Sequence, residues 1–170
     1  MKELIASHTC TAYLKPGEVI VARKPLLVST VLGSCIAVTM YSRLHRVGAI
    51  CHAMLPDGGV GNEDLRYVDT AIHHIYRKVV EYGAGSELEV KLFGGARVLT
   101  VGDYSSTKLT VGEQNIAHAQ KVLGLLGLKI TASDTGGLRG RKLFFCTRDG
   151  GVYIRMMRRG KDISDQEMAI

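Results

Sequence analysis

The chain has 170 residues, of which 46% are hydrophobic and 22% are charged, and these values are typical of a soluble globular domain. They exclude an intrinsically disordered chain, and the lack of an apolar run of about 18 residues argues against a transmembrane helix and membrane insertion. The net charge of +6 favours an acidic partner, but only 6% of the residues are aromatic and none is tryptophan, so we expect no nucleic-acid partner.

The N-terminal third of the chain has the pattern of β-strands. Residues 18–22 and 26–32 are extended apolar stretches separated by a Lys-Pro pair. Residues 36–41 alternate between two faces, and residues 47–55 form an apolar run that only His52 interrupts. The short link between these last two stretches predicts that they form a β-hairpin.

Two amphipathic helices are predicted further along the chain. Apolar residues recur at three- and four-residue steps from Leu65 to Val79, which predicts a helix that is capped by Asn62 or Glu63 and that stops at Gly83. A second helix is predicted over residues 112–126, and capping is the default role for Asn115 near its start, with a contact to the functional site as the alternative.

The remaining elements predict the fold class. Residues 97–109 have no clear assignment, and an Asp-Gly-Gly turn at 149–151 joins the last two strands into a hairpin. The order of strands, helix, strand, helix and strands does not fit a regular βαβ alternation. We therefore predict an α+β fold: a layered α/β sandwich of mixed or antiparallel sheets with two main helices. The later strands are predicted at residues 88–93, 128–132, 142–147 and 152–157.

The domain organisation and the compartment follow from simple features. We predict one domain over residues 1–160 and a polar C-terminal tail over residues 161–170. The first ten residues carry charges of both signs and lack the apolar core of a signal peptide, so a cytoplasmic location with free thiols is expected. No two cysteines have the spacing of a zinc or redox motif. Because cysteine is among the most often buried residue types, Cys10, Cys51 and Cys146 are expected to be core or half-buried thiols.

The sharpest chemical feature is Cys35, which follows a Gly-Ser pair where a loop enters a strand. Backbone N–H groups in such a turn can stabilise an oxyanion, and the thiol needs a nearby base to become a thiolate. His52 interrupts an apolar strand, where an unpartnered imidazole is costly. If the two strands pair with residue 36 opposite about residue 52, Cys35 and His52 lie at the same end of the hairpin, within side-chain reach.

The residue that orients the imidazole stays open at this point. The hydroxyls of Ser29 and Thr30 lie one strand earlier, and Asp57 and Asp134 are carboxylate alternatives. The glycine-rich segment 94–96 is interpreted first as a tight turn, with part of a substrate-facing wall as the alternative. The segment 134–137 is interpreted as a turn that either binds an anion or supports the site.

Two motifs resemble the CheD family of chemoreceptor glutamine deamidases. Residues 32–38 read Leu-Gly-Ser-Cys-Ile-Ala-Val, and residues 48–56 read Gly-Ala-Ile-Cys-His-Ala-Met-Leu-Pro. The similarity continues in the same order through residues 94–96, Gly112, Asn115 and 134–141, and it covers roughly residues 10–157.

This resemblance implies an α/β sandwich with a Cys–His site that converts receptor glutamines to glutamate through a thioester, with no metal or organic cofactor. It implies that Cys35 is the nucleophile and His52 the base. The third member is then the hydroxyl residue six positions before the cysteine, which is Ser29, with Thr30 next to it. The support or substrate rim would be formed by Thr30, Gly33, Ser34, Gly94, Gly95, Asp134, Thr135 and Gly136.

The resemblance also implies the partners. These are the cytoplasmic helices of methyl-accepting chemoreceptors and, in many members of the family, the phosphatase CheC. The alternative function is a regulatory binding module for a CheC-type phosphatase, with catalysis secondary. A different cysteine-dependent hydrolase, such as a peptidase, is a further alternative, because amide and peptide carbonyls undergo the same attack.

Overall fold

A computed structural model of the protein describes residues 10–97, 109–158 and 167–169. The unassigned segment 97–109 therefore lies almost wholly outside the described residues, as does most of the predicted tail. The elements in chain order are β1 (Thr11–Tyr13), β2 (Val19–Ala22), β3 (Leu27–Leu32), β4 (Ile36–Ser42), β5 (Val47–Ala53), α1 (Val68–Glu81), β6 (Glu89–Gly94), α2 (Val111–Leu125), β7 (Ile130–Thr135), β8 (Arg141–Cys146), β9 (Val152–Met156) and β10 (Glu167–Ala169).

The strands form two five-stranded sheets. The first sheet has the order β1-β3-β8-β9-β10, and the second has the order β2-β5-β4-β6-β7. The pairs β1–β3 and β6–β7 are parallel, and the other pairs among the described strands are antiparallel. The two sheets and two helices confirm the layered α+β sandwich.

The second sheet is the middle layer, and both of its faces are buried. One face packs against the helices, for example through Met40 and Ile72, and the other packs against the first sheet through Ile50 and Phe93. A strand that is covered on both faces has no solvent side, which explains the nearly continuous apolar run along β5. In the parts of the chain that the structure describes, no helix has both the length and the apolar character needed to cross a bilayer.

Both predicted hairpins are confirmed. β4 pairs antiparallel with β5 so that Ala37 lies opposite His52, one position from the expected register. β8 pairs antiparallel with β9 around the predicted Asp-Gly-Gly turn, in which the N–H of Gly151 donates to the carboxylate of Asp149 at 3.0 Å. The first hairpin is the one that positions the candidate site.

The predicted start of α1 is wrong, although its stop is confirmed. The helix begins at Val68, and no side chain caps it. Asn62 stays in the preceding loop, where its Oδ1 accepts the N–H of Asp64 at 2.8 Å. A side chain that satisfies loop backbone in this way does not reach the helix, so neither Asn62 nor Glu63 is the cap. Gly83 follows the helix end with a φ of 86°.

α2 is capped by a different residue from the one expected. The Oγ1 of Thr110 accepts the N–H of Glu113 at 3.3 Å, and the carboxylate of Glu113 accepts the N–H of Thr110 at 2.8 Å. This capping box satisfies N–H groups that the first turn of a helix leaves free. The default capping role for Asn115 is therefore wrong, and its buried side chain contacts the functional site instead.

Candidate active site

Cys35 lies in the connection between the two sheets, directly before β4 begins at Ile36. Because alternate residues of a strand point to the same face, Cys35 follows the direction of Ala37 toward the first sheet. It is half-buried and packs against the apolar core between the sheets. The thiol therefore lies at the edge of the inter-sheet core, with part of its surface open to solvent.

His52 lies on β5 directly opposite Ala37 and shares the same inter-sheet face. Its side chain is only 1% exposed. Cys35 is two positions from Ala37, so the nucleophile candidate and the base candidate occupy neighbouring positions at one end of the hairpin. Antiparallel pairing therefore places both residues at the same end of the hairpin, although no hydrogen bond joins Nε2 of His52 to the thiol.

Thr30 holds the imidazole from the first sheet. Its Oγ1 lies 2.8 Å from Nδ1 of His52 and donates its proton to the carbonyl of Leu14 at 2.8 Å. A hydroxyl has only one proton to donate, so Oγ1 must accept the Nδ1–H of the ring. The other nitrogen, Nε2, is buried and has no hydrogen-bond partner among the residues that the structure describes. It carries the free lone pair of the ring.

Burial favours the neutral forms of both groups. It lowers the pKa of His52 to about 4, and the backbone carbonyl of Leu14 opposes this shift only in part. Burial also raises the pKa of the Cys35 thiol, and the residue's own backbone N–H opposes the change in part. At neutral pH the pair is therefore a thiol and an uncharged imidazole rather than an ion pair, and the imidazole can accept a proton.

The structure separates Ser29 from Thr30. Neighbouring residues of β3 point to opposite faces. Thr30 is fully buried and faces His52, whereas Ser29 lies opposite Phe144 on the outer face of the first sheet. The hydroxyl that contacts the ring is thus that of Thr30. The family resemblance, which places this hydroxyl six positions before the cysteine, instead indicated Ser29.

The two carboxylate alternatives lie elsewhere. Asp57 is exposed in the loop after β5, where it accepts a loop N–H at 2.8 Å, and Asp134 forms an ion pair with Arg141. Asp57, Asp69 and His118 form the one group of described residues whose ligand atoms could hold a cation, all within 4.8 Å of one another. This group shares no residue with the thiol and imidazole site.

A glycine-rich turn lies directly behind the loop of Cys35. The N–H of Gly95 donates to the carbonyl of Cys35, and the N–H of Ala96 donates to the carbonyl of Gly33, both at 2.8 Å. A Cβ at Gly94 would lie far inside van der Waals contact with the carbonyl of Cys35, and its φ of 102° favours glycine. The turn therefore supports the nucleophile loop through backbone contacts.

The second glycine-rich segment supports the first. β7 continues through Asp134 and Thr135, so these residues form a strand end rather than the predicted turn. The N–H of Gly136 donates to the carbonyl of Gly94 at 2.8 Å. The guanidinium of Arg141, 1% exposed, bonds to the carboxylate and carbonyl of Asp134 and to the carbonyl of Gly136. The segment therefore supports the turn at Gly94, which in turn contacts the loop of Cys35.

Asn115 also contacts the site. Its Nδ2 donates to the carbonyls of Ser34 and Met54, at 3.0 and 2.9 Å. The sequence signal for this contact was that Asn115 falls within the series of motifs that match the family. The preference of asparagine for capping positions near a helix start indicated a different role.

Comparisons with known proteins show which family the chain is similar to, although the range that the family model matches begins after Thr30, Cys35 and His52. The family model described as CheD chemotactic sensory transduction matches residues 54–156, which include both glycine-rich segments and Asn115. The chain is 45% identical over 148 residues to the protein named Probable chemoreceptor glutamine deamidase CheD 2 of Geobacter sulfurreducens, covering 86% of this chain and 90% of that relative.

Two further relatives have the name Probable chemoreceptor glutamine deamidase CheD. The protein of Maridesulfovibrio salexigens is 42% identical over 154 residues, covering 85% of this chain and 91% of the relative. The protein of Thermococcus kodakarensis is 40% identical over 153 residues, covering 86% and 93%. The similarity thus extends over most of the length of each protein.

Proposed function

Because the chain belongs to the CheD family, we propose that it is a protein-glutamine deamidase that converts glutamine side chains of chemoreceptors to glutamate in chemotaxis. The observation that carries the proposal is the placement of Cys35 and His52 on one face, with Thr30 holding Nδ1 and leaving Nε2 free. The names of the relatives supply the reaction, and these side chains supply the chemistry that it needs.

The first half of the reaction forms a thioester. Nε2 of His52 accepts the thiol proton as the sulfur of Cys35 attacks the carboxamide carbon, and the C=O π bond opens to a tetrahedral oxyanion. Backbone N–H groups stabilise this oxyanion, and the N–H of Cys35 is the candidate donor. The imidazolium then protonates the carboxamide nitrogen, the C–N bond breaks, and ammonia leaves.

The second half releases the product. Nε2 of His52 accepts a proton from water as the water oxygen attacks the thioester carbon. The C–S bond breaks, and the imidazolium returns the proton to the sulfur, which regenerates the thiol and leaves glutamate. Thr30 is a positioning residue in both halves, because it holds the ring without touching the reacting atoms. This scheme uses no metal or organic cofactor.

The substrate and partners follow from the same family membership. We propose that the substrate glutamines lie on receptor helices and that the net charge of +6 speeds the encounter with acidic surfaces. A phosphatase of the CheC type is the proposed regulatory partner. We also retain the cytoplasm as the proposed compartment, since this is where such receptor helices lie.

Intact-mass and peptide mass spectrometry of a receptor cytoplasmic domain tests the activity. The wild-type protein is expected to produce the Gln-to-Glu mass gain at discrete sites, and Cys35→Ala is expected to abolish it. Cys10→Ala is the matched control, because it removes an exposed thiol outside the site and should leave the activity intact. Cleavage of the receptor chain would indicate a peptidase, and binding without any mass change would indicate a regulatory module.

A further inference from the structure

Asn115 bridges the two segments that carry the reacting groups. Its Nδ2 donates to the carbonyl of Ser34, the residue before Cys35, at 3.0 Å. The same nitrogen donates to the carbonyl of Met54, two residues after His52, at 2.9 Å. The side chain is fully buried. One amide group therefore ties the loop of the nucleophile to the end of the strand that carries the base.

Neither packing nor capping accounts for an asparagine at this position. Both protons of its NH₂ group are used, but Oδ1 is buried without a partner in the described part of the chain. A buried unpaired oxygen is destabilising, and a leucine of similar size would avoid it. Thr110 and Glu113 already cap the helix. Rotating the amide would set its oxygen against two carbonyl oxygens, so the position requires the two donors.

The Asn115 side chain supports the loop of Cys35, which takes no part in the pairing of β4 with β5. The ladder between β4 and β5 begins at the pair Ile36–Ala53 and does not include Cys35. On the β6 side, the N–H groups of Gly95 and Ala96 hold this loop. On the β5 side, Asn115 provides the contact. Helix α2 thereby becomes part of the site, although it supplies no reacting group.

We propose that Asn115 is a positioning residue that keeps the thiol of Cys35 within reach of Nε2 of His52. The inference rests on the proposed function, because it assigns Asn115 to the same thiol and imidazole pair. A variant that lacks the bridge still has Cys35 and His52, but its loop can shift relative to β5. A displacement of about 1 Å is enough to lower a rate about 10²-fold.

A double-mutant cycle on the alkylation of Cys35 tests the inference without a receptor substrate. The rate constant with iodoacetamide is measured on the full-length protein by mass spectrometry of the peptide that contains Cys35. Asn115→Ala removes both donors, and Asn115→Asp keeps the shape while replacing the donor with an oxygen. Each is expected to lower the rate at neutral pH by about tenfold or more. In a His52→Gln background neither should lower it further.

Gln114→Ala is the matched control. This neighbouring amide is exposed on the same helix, and its Nε2 donates to the carbonyl of Leu109 at 2.8 Å. Its loss should leave the alkylation rate within about twofold. With a receptor domain as substrate, the Asn115 variants are expected to lower kcat while KM stays unchanged, because the residue is buried away from any substrate surface.

Three outcomes would overturn the inference. The first is an equal loss of alkylation rate with and without His52, which would indicate a general structural role. The second is an unchanged rate in both variants. The third is a loss of cooperative thermal unfolding in both variants. If His52→Gln alone leaves the rate unchanged, the pairing of Cys35 with His52 itself fails, so a failure of the proposed function is distinguishable from a failure of the bridge.

Discussion

At the scale of single residues, the hydroxyl of Thr30 determines where the proton of the His52 ring lies. Its own proton is donated to the carbonyl of Leu14, so its oxygen can only accept from Nδ1. The tautomer with a basic Nε2 is thus selected before any substrate arrives. A hydroxyl does this without adding a charge, which keeps the imidazole neutral in its buried position.

Thr30→Val tests this selection with a side chain of nearly the same shape. It leaves Nδ1–H without an acceptor, so we expect kcat to fall about 10²-fold and the free energy of unfolding to fall by about 1–3 kcal/mol. Ser29→Ala is the matched control on the opposite face of β3, and the free energy of unfolding should change by about 0.5 kcal/mol or less. Steady-state kinetics and urea unfolding measure both effects. A greater loss of activity in Ser29→Ala would contradict the assignment.

The burial of His52 predicts a pH dependence of stability. Its pKa is about 4 in the folded chain, against 6.5 for the unperturbed group. Below pH 6.5 the unfolded chain binds a proton that the folded chain does not, so this contribution is present above pH 6.5 and is lost as the pH falls toward 4. We expect the stability of the wild type relative to His52→Gln to fall by about 3 kcal/mol between pH 7 and pH 4.

Urea unfolding of both proteins across this range measures the effect. Their difference isolates His52, because the carboxylates are common to both. A difference that stays constant with pH would show that the ring is protonated to the same extent in the folded and unfolded chains.

At the scale of the elements, hydrophobic periodicity predicts both helices and all the described strands except the three-residue strands β1 and β10. It also predicts the hairpin that carries the site, because β4, β5 and their short link form a local pattern. Features that depend on contacts between residues distant in the sequence are harder to predict from the sequence. The faces of Ser29 and Thr30 follow from the pairing of β3 with β8, whose residues lie more than a hundred positions later.

The contact of Asn115 with Ser34 likewise joins residues separated by 81 positions. Arg141 is connected to the loop of Cys35 only through Gly136 and the turn at Gly94 and Gly95, by successive hydrogen bonds. The cap at Asn62 was wrong for a local reason, since a loop bond competes with capping. The sequence therefore predicts most of the elements and the placement of Cys35 and His52 at one end of the hairpin, whereas the supporting contacts need the assembled structure.

Two glycines of α2 test how closely this helix must approach the site. A Cβ at Gly112 would lie 2.5 Å from the carbonyl oxygen of Gly95, whereas a Cβ at Gly124 meets nothing within 4 Å. Gly112→Ala is expected to destabilise the fold by about 1–3 kcal/mol and to lower activity by pushing the helix away. Gly124→Ala should stabilise it by about 0.5–1 kcal/mol.

Urea unfolding and the deamidation assay distinguish the two variants. Equal stability changes in both would contradict the close approach of α2, since helix propensity favours alanine at both positions.

At the scale of the whole molecule, we expect the net charge of +6 to act on the encounter with the substrate rather than on the chemistry. Salt screens the attraction between exposed charges, and the screening length is about 10 Å at 0.1 M ionic strength. We expect kcat/KM for a receptor domain to fall several-fold between about 0.05 and 0.3 M salt, with kcat unchanged. An uncharged glutamine peptide is the control and should show no such fall. Equal salt effects on both substrates would rule out electrostatic steering.

The distribution of the site over two sheets has a consequence for the folding chain. Thr30 belongs to the first sheet, His52 to the middle sheet, and Cys35 to the connection between them. A compact intermediate with formed secondary structure but loose side-chain packing, of the molten-globule kind, holds all three residues without aligning them. Such a species carries an ordinary cysteine, inert toward amides. Under the proposed function, an incompletely packed copy is therefore expected to lack deamidase activity, and activity is expected to report that the two sheets have docked.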